Sequence, residues 1–130
     1  MIDWGQYPNF SHEEFQCRCG CGQVEMDPEF ISILQSIRNY TDHSMHINSG
    51  YRCPSHNNKV SSTGFTGPHT TGKAADIKCN RAYAYDIMIA GGLYGITGFG
   101  FQQRGSHRER FIHLDTLKTE LDARPRVWTY

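Results

Sequence analysis

The sequence predicts a single α+β domain, with a small antiparallel sheet flanked by two main helices. The chain has 130 residues, which is the length of one compact domain with its own core. Apolar residues between Phe30 and Ile37 recur at the i, i+3, i+4, i+7 spacing that places them on one face of a helix. Strand-like segments lie mostly later in the chain, and this order of elements is typical of α+β domains.

Capping signals mark the predicted helices. Residues 11–14, Ser-His-Glu-Glu, have the spacing of a capping box and predict a short helical turn before a cysteine-rich loop. An Asp-Pro pair begins the helix that carries the apolar stripe, predicted over 27–40. An asparagine caps a second main helix, predicted over 80–90, and we expect Gly91 and Gly92 to stop it.

Four segments are predicted to be strands: 44–49, 74–78, 96–101 and 110–116. The last two are expected to be neighbours joined by a polar turn over 102–109. Residues 54–72 are rich in Ser, Thr, Gly, Asn and Pro, so we expect a long polar loop there. Long ordered loops in small domains often carry function.

The charge balance excludes some classes of partner. The 13 Lys and Arg residues match 13 Asp and Glu residues, for a formal net charge of +0. Nucleic acid and anionic membranes both attract a basic field, so we expect neither as a partner. No segment has the ~20 apolar residues of a membrane span. The N-terminus has no secretory signal pattern, and we expect a monomer made in the cytoplasm.

Five cysteines leave three states open. Three of them alternate along residues 17–21, whereas Cys53 and Cys79 are distant. An extended segment would place the three thiols on one side, where they could bind zinc together with Cys53. The loop could instead form a disulfide with Cys53, or the thiols could be free. Zinc sites usually separate thiolates by two to four residues, so the spacing favours the last two states.

Two histidines and one aspartate form a candidate metal site. His69 and Asp76 flank Gly72, where the chain can turn, and His113 lies in a later predicted strand. Zinc bound by two imidazoles and one carboxylate keeps one position open for water, as in hydrolytic sites. Asp76 and His113 occur in apolar segments, where an ionisable group needs a partner. We therefore predict that His69, Asp76 and His113 bind Zn²⁺.

Five motifs occur in order along the chain: Ser49-Gly50-Tyr51-Arg52, His56-Asn57, the segment from His69 to Asp76, Gly98-Phe99-Gly100, and Phe111-Ile112-His113-Leu114-Asp115. Together they resemble the zinc D-alanyl-D-alanine carboxypeptidase family. That family includes vancomycin-resistance dipeptidases, peptidoglycan endopeptidases and phage endolysins, and it shares its metal site with the Hedgehog signalling domain. The resemblance covers about residues 10–128. It implies one zinc peptidase domain over 1–130, with residues 1–10 as an N-terminal extension.

The resemblance implies roles for individual residues. His69, Asp76 and His113 match the ligands of Zn²⁺ in that family. Arg52 matches the arginine that holds a substrate carbonyl or carboxylate near the metal, a role that suits a guanidinium because its donors can stabilise an oxyanion. Relatives often have Ser two residues before the first ligand. This chain has Gly67 there, so we expect one substrate hydrogen bond to be missing.

The general base departs from the family pattern. Many members have Asp or Glu three residues before the last histidine ligand, but this chain has Arg110, which cannot accept a proton. Glu109, His107 and Asp115 lie an even number of residues from that ligand and would share its face in a strand. Asp115 and Glu109 are nearly equal candidates, with His107 behind them. An alternative role of Asp115 is to orient His113.

The predicted function is hydrolysis of an amide bond in the peptide part of bacterial peptidoglycan, by a carboxypeptidase or endopeptidase of the D,D type. Substrate is expected in a cleft walled by the 54–72 loop and by Tyr51, Phe99 and Phe101. Small size without an export signal favours a phage endolysin that reaches the cell wall after release from the host cytoplasm. Two alternatives are a non-catalytic zinc-stabilised module of a virion, favoured by Arg110, and a cytosolic D-alanyl-D-alanine dipeptidase.

Overall fold

The computed structural model describes residues 1–118, 120 and 122–130, and it confirms the α+β class. The helices in this part of the chain are α1 His12–Phe15, α2 Pro28–Thr41, α3 Pro54–Val60 and α4 Arg81–Tyr94. The strands are β1 His46–Ser49, β2 Ala74–Lys78, β3 Gly98–Gln102, β4 Phe111–Asp115 and β5 Arg126–Thr129. Short 3₁₀ turns occur at Trp4–Gln6, Gly64–Thr66, Pro68–Thr71 and His107–Glu109.

The predicted caps of the first two helices are confirmed. The backbone N–H of Ser11 donates to the Glu14 carboxylate over 2.7 Å, which is half of the capping box before α1. The Asp27 carboxylate accepts from the N–H of Phe30 over 3.0 Å and caps α2. The apolar face of α2 is then buried from Phe30 to Ile37.

The polar loop predicted over 54–72 is wrong in part, because α3 occupies its first third. Cys53 is the N-cap of this helix and Pro54 is its first residue, where a proline needs no N–H partner. Ser and Asn make up three of the seven residues of α3, and because both have low helix propensity, composition alone did not predict this helix. Two of the 3₁₀ turns, at Gly64–Thr66 and Pro68–Thr71, follow it.

Helix α4 is longer than predicted, because Gly91 and Gly92 lie inside it. A Cβ at Gly91 would come within 2.9 Å of the Phe99 ring, so this glycine serves the close packing of α4 on the sheet. The helix ends instead at Gly95, which has a positive φ of 101°. None of the described helices is long and apolar enough to cross a membrane.

The sheet has the order β1-β2-β4-β3-β5. Strands β3 and β4 are antiparallel neighbours, as predicted, and β2 pairs with both β1 and β4 in the antiparallel sense. Strand β5 was not predicted, and it pairs with β3 in parallel, so the sheet is mixed. It extends the sheet on the side of β3 and forms one of its two edges.

The pairing register of β2 and β4 places core residues on one face of the sheet and the candidate metal-site residues on the other. Asp76 of β2 lies directly opposite His113 of β4, and Ile77 lies opposite Ile112. Because side chains alternate along a strand, the isoleucines point to the other face from Asp76 and His113. They join one apolar core with buried residues of α2 and α4, including Leu34.

Candidate metal centre

The three predicted ligands meet at one point on the sheet. Asp76 and His113 come from the centres of adjacent strands, and His69 comes from the 3₁₀ turn before β2. Gly72 makes the predicted turn between His69 and Asp76, with a φ of 76°. A Cβ at Gly72 would also collide with the backbone carbonyl of Glu25. Glycine therefore meets two demands at this position, a left-handed conformation and a close backbone approach.

The candidate ligand atoms have separations that are consistent with a bound zinc ion. His69 Nε2 lies 3.2 Å from Asp76 Oδ1, and His113 Nδ1 lies 3.0 Å from the same oxygen. The two nitrogens are 3.3 Å apart. Ligands placed tetrahedrally at ~2.0 Å from an ion are ~3.3 Å from one another. All three side chains are buried, with residue exposures of 3%, 7% and 2% for His69, Asp76 and His113.

The outer nitrogens of the two imidazoles set their tautomers. His69 Nδ1 lies 2.8 Å from the carbonyl oxygen of Gly50, and His113 Nε2 lies 2.8 Å from Asp115 Oδ2. Both partners only accept, so these nitrogens carry the protons and the inner nitrogens present lone pairs. Two lone pairs and the carboxylate of Asp76 thus converge with no proton between them in the neutral tautomers. Such a donor set fits a divalent cation such as Zn²⁺.

Burial and charge pairing shift the pKa values of Asp76 and His113 in opposite directions. Burial alone would raise the pKa of Asp76. When the inner nitrogens are protonated instead of presenting lone pairs, the positive charge of His69 and hydrogen bonds from both histidines outweigh the effect of burial and lower the pKa of Asp76 well below its usual value. Burial would lower the pKa of His113, but its hydrogen bonds to Asp115 and Asp76 raise it. The lowered pKa of Asp76 and the raised pKa of His113 both indicate an environment that favours positive charge beside Asp76.

Asp115 is the partner that orients His113. It is fully buried, and besides His113 it accepts two hydrogen bonds from Arg124, of 2.9 and 2.8 Å. Burial raises the pKa of Asp115, but the hydrogen bonds from His113 and Arg124 outweigh it and lower the pKa to about 2. Gly98 faces this pair in β3, and any Cβ there would collide with both side chains. The arrangement matches the alternative role of Asp115.

Arg52 lies at the edge of the ligand set and is held by three neighbours. Its Nη2 is 3.4 Å from Asp76 Oδ2, its Nη1 donates to Asn57 Oδ1 over 3.1 Å, and its Nε donates to Ser49 Oγ over 3.1 Å. Asn57 is fully buried and also donates to Thr63 Oγ1. Helix α3 therefore positions Arg52 through Asn57, the second residue of the His-Asn motif.

A cavity of about 470 Å³ opens in front of the ligands. Its lining consists of Arg52, Val60, Ser61, Ser62, Thr63, Pro68, His69, Asp76, Phe111, His113, Asp122, Arg124, Arg126, Trp128 and Tyr130. The predicted wall from the 54–72 segment is present through 60–63 and Pro68. The predicted aromatic wall is wrong: Tyr51 is buried, and Phe99 and Phe101 pack against the core.

Strand β5 supplies much of the actual aromatic wall. The Trp128 ring lies 5.2 Å from the His113 ring, and the guanidinium groups of Arg124 and Arg126 lie 5.2 and 5.0 Å from the Trp128 ring. Gly100 lies between Trp128 and His113 in the sheet, and a Cβ there would come within 2.5 Å of the indole nitrogen. The second glycine of the Gly-Phe-Gly motif thus makes room for Trp128.

Two predicted base candidates lie outside the cavity. Glu109 and His107 are exposed in the 3₁₀ turn that precedes β4, so the alternation of a strand does not apply to them. Arg110 donates to the carbonyl oxygen of Gly105 and does not line the cavity either. Asp122 does line it, as Asp76 does. No motif included Asp122, and its one sequence signal is the charged run over 122–126.

Comparison with protein-family models matches residues 8–115 to the family described as Peptidase M15. This range contains Arg52, the three ligands and Asp115, and the match confirms the resemblance found in the motifs. Comparison with curated proteins found no match.

Proposed function

The chain belongs to the peptidase M15 family, and we propose that it is a zinc-dependent peptidase that cleaves an amide bond in the peptide part of bacterial peptidoglycan. The observation that carries the proposal is the convergence of two imidazole lone pairs and one carboxylate, from His69, His113 and Asp76, at the floor of a cavity. Bound there, Zn²⁺ would supply a Lewis acid and lower the pKa of water toward ~7.

The cavity suits a short peptide that carries a carboxylate. Arg52 lies beside the ligands and can donate to a carbonyl or carboxylate oxygen, where charge develops during attack on an amide. Arg126 adds a second cation in the wall. Trp128 and Tyr130 offer apolar surface to small side chains such as the methyl group of D-alanine. These features support a carboxypeptidase or endopeptidase of the D,D type.

We assign the general base to Asp122. Among the described residues that line the cavity, Asp76 and Asp122 are the carboxylates, and Asp76 belongs to the ligand set. Asp115 does not line the cavity, because it is fully buried behind His113 and hydrogen-bonded to His113 and Arg124. The Asp122 carboxylate would accept a proton from the attacking water and return it to the leaving amine.

Substitution of Asp122 tests this assignment. We expect Asp122→Asn to lose activity by ~10²–10⁴-fold, because proton transfer by a placed side chain contributes about that much. Zinc content and the far-UV circular dichroism spectrum should not change. Glu109→Gln and His107→Gln are matched controls and should keep nearly full activity. An active Asp122→Asn enzyme, or a Glu109→Gln enzyme that folds and binds zinc but is inactive, would contradict the assignment.

The proposed reaction is tested on purified sacculi. Mass spectrometry of the released muropeptides should reveal products that disappear with a chelator and return with Zn²⁺. Products that persist unchanged under chelation would overturn the zinc requirement. Cleavage of free D-alanyl-D-alanine without any action on sacculi would identify the cytosolic dipeptidase instead. A protein that binds zinc and cleaves neither substrate would be the non-catalytic module.

We further propose that the protein acts as a monomeric phage endolysin at the cell wall. The support is its resemblance to a family in which phage endolysins occur. Bacteria that express the protein in the cytoplasm should lyse when a phage pore protein is co-expressed and remain intact without it. Intact cells despite an open pore and active enzyme would argue against this role.

A further inference from the structure

Four cysteines converge on the side of α1, outside the cavity. Cys17, Cys19 and Cys21 lie on the loop after α1, and Cys53 is the N-cap of α3. Their four Sγ atoms all lie within 4.8 Å of one another. Cys17 and Cys53 are buried, whereas Cys19 and Cys21 are exposed. We call this group the cysteine cluster.

The sulfur separations fit metal coordination rather than a disulfide. The Sγ atom of Cys19 lies 3.5 Å from that of Cys17 and 3.7 Å from that of Cys53. Thiolates arranged tetrahedrally at ~2.3 Å from Zn²⁺ are ~3.8 Å apart. A disulfide would need ~2.05 Å, and all five cysteines are free. The disulfide considered from the sequence is therefore not formed.

The loop overcomes the unusual spacing of its cysteines. Gly20 and Gly22 have φ values of 90° and 79°, a conformation that lets the chain curl tightly. The N–H of Cys17 closes the loop by donating to the carbonyl of Gln23 over 2.9 Å. Alternate residues of this tight loop can thus aim their thiols at one point, although a regular zinc motif would space them further apart.

A backbone donor also points at the cluster. The N–H of Cys53 donates to the Sγ atom of Cys17 over 3.3 Å. Hydrogen bonds of this kind stabilise a thiolate, the form of cysteine that binds metal. The fifth cysteine, Cys79, lies apart from the cluster at the end of β2, where burial raises the pKa of its thiol to about 12.

We propose that the cysteine cluster binds a second Zn²⁺ with a structural role. Four protein ligands leave no position for water or substrate, so the site is closed in the way that structural zinc sites are. Two exposed thiols give the ion access from solvent. This zinc would be bound whether or not the protein cleaves peptidoglycan.

The cluster holds together two segments that support the candidate active site. Cys53 directly follows Arg52, and the carbonyl of Gly50 accepts the hydrogen bond from His69. On the other segment, the Phe15 carbonyl accepts from the N–H of Tyr51 over 2.9 Å. Zinc bound between these segments would resist their separation, so it would preserve the position of Arg52 and the orientation of His69.

Metal analysis tests the proposal. The protein is loaded with Zn²⁺ under reducing conditions, dialysed and measured by inductively coupled plasma mass spectrometry. We expect two zinc ions per chain, one fewer in the double variant Cys19→Ala/Cys21→Ala, and one fewer in His113→Ala. The exposed cysteines are chosen because their removal leaves the core intact. Cys79→Ala is the matched control and should keep both ions.

Cobalt substitution identifies the ligands independently of activity. The Co²⁺ form of His113→Ala should keep a strong thiolate-to-cobalt charge-transfer absorption, and Cys19→Ala/Cys21→Ala should lose it. The proposal is overturned if the double cysteine variant binds as much zinc as the wild type, or if the absorption survives in it. One zinc per chain in the wild type, lost in His113→Ala, would overturn it as well.

Thiol protection gives an answer even where the double variant fails to fold. In the zinc-loaded wild type, Cys19 and Cys21 should resist alkylation despite their exposure, and a chelator should release them. Cys79 should stay unreactive in both states because it is buried. Equal alkylation of Cys19 with and without zinc, or a disulfide in the zinc-loaded protein, would refute the proposed site.

Discussion

Among the individual residues of the site, Arg52 makes hydrogen bonds that require the shape of a guanidinium. Three separate nitrogens engage Ser49, Asn57 and Asp76, and a lysine ammonium on a flexible stem cannot reproduce this planar set. We expect Arg52→Lys to lower kcat/KM by about 10²-fold, the cost of one oxyanion donor. Zinc content should be unchanged. Steady-state kinetics measure this change. An Arg52→Lys enzyme with the kcat/KM of the wild type would refute this role. Arg126→Lys is the control, a matched substitution on the cavity wall.

Asp115 acts through His113, so its substitution should affect metal binding before chemistry. In Asp115→Asn, one acceptor of His113 and Arg124 becomes a donor, and the buried guanidinium loses its counter-charge. We expect zinc affinity to fall by about 10–100-fold, as for other residues that orient metal ligands. Competition with a chromophoric chelator measures this change. An unchanged affinity would show that His113 needs no carboxylate behind it.

The same carboxylate predicts a dependence of stability on pH. The pKa of Asp115 is lowered from an ordinary 3.8 to about 2 in the fold. A group of this kind stabilises the fold fully above its unfolded pKa, and the contribution is lost as the pH falls through the folded value. The difference in unfolding free energy between wild type and Asp115→Asn should therefore shrink from about pH 4 to about pH 2. Denaturant unfolding at several pH values measures this difference. A difference that stayed constant over this pH range would contradict the predicted role of the Asp115 carboxylate.

At the element scale, β3 must lie close beneath Trp128 of β5. Gly100→Ala would place a methyl group against the indole, and we expect a loss of about 1–3 kcal/mol in stability from overpacking. Activity should fall too, because Trp128 lines the cavity. Gly92→Ala is the control, since its Cβ would meet nothing within 4 Å in α4. Calorimetry that finds Gly100→Ala as stable as Gly92→Ala would refute this packing role.

Elements with strong local signals were predicted well. Helix α2 follows from its cap and its apolar stripe, and the predicted bounds of β2 agree with the structure. Helix α3 and the last turn of α4 were missed because their stability depends on tertiary contacts. In α3 the buried Asn57 links Arg52 to Thr63, and in α4 the fit of Gly91 against Phe99 outweighs glycine's poor propensity.

At the scale of the whole molecule, metal should stabilise the fold. A ligand that binds only the native state adds RT ln(1 + [L]/Kd), which is about 4 kcal/mol at 1,000 times Kd. We expect a chelator to lower the Tm by several degrees and added Zn²⁺ to restore it. The shift should be smaller in His113→Ala and also in Cys19→Ala/Cys21→Ala, because each retains one zinc site. An identical Tm with and without chelator would show that metal does not support the fold.

Sequence alone was enough to identify the three residues of the candidate metal site, because short motifs contain both their chemical types and the turn between His69 and Asp76. A glycine between His69 and Asp76 and an aspartate two residues after His113 are local features, and the structure places both where the motifs imply. The class of the fold likewise followed from periodicity and caps.

The surroundings of those three residues depend on tertiary packing. Strand β5 is defined by its parallel pairing with β3, and Asp122 and Arg124, which precede it in sequence, line the cavity. The cysteine cluster depends in the same way on Cys53 meeting a loop more than thirty residues earlier. Such contacts arise from packing between distant segments, and a residue's chemical type and neighbours in sequence carry no record of which segments pack together.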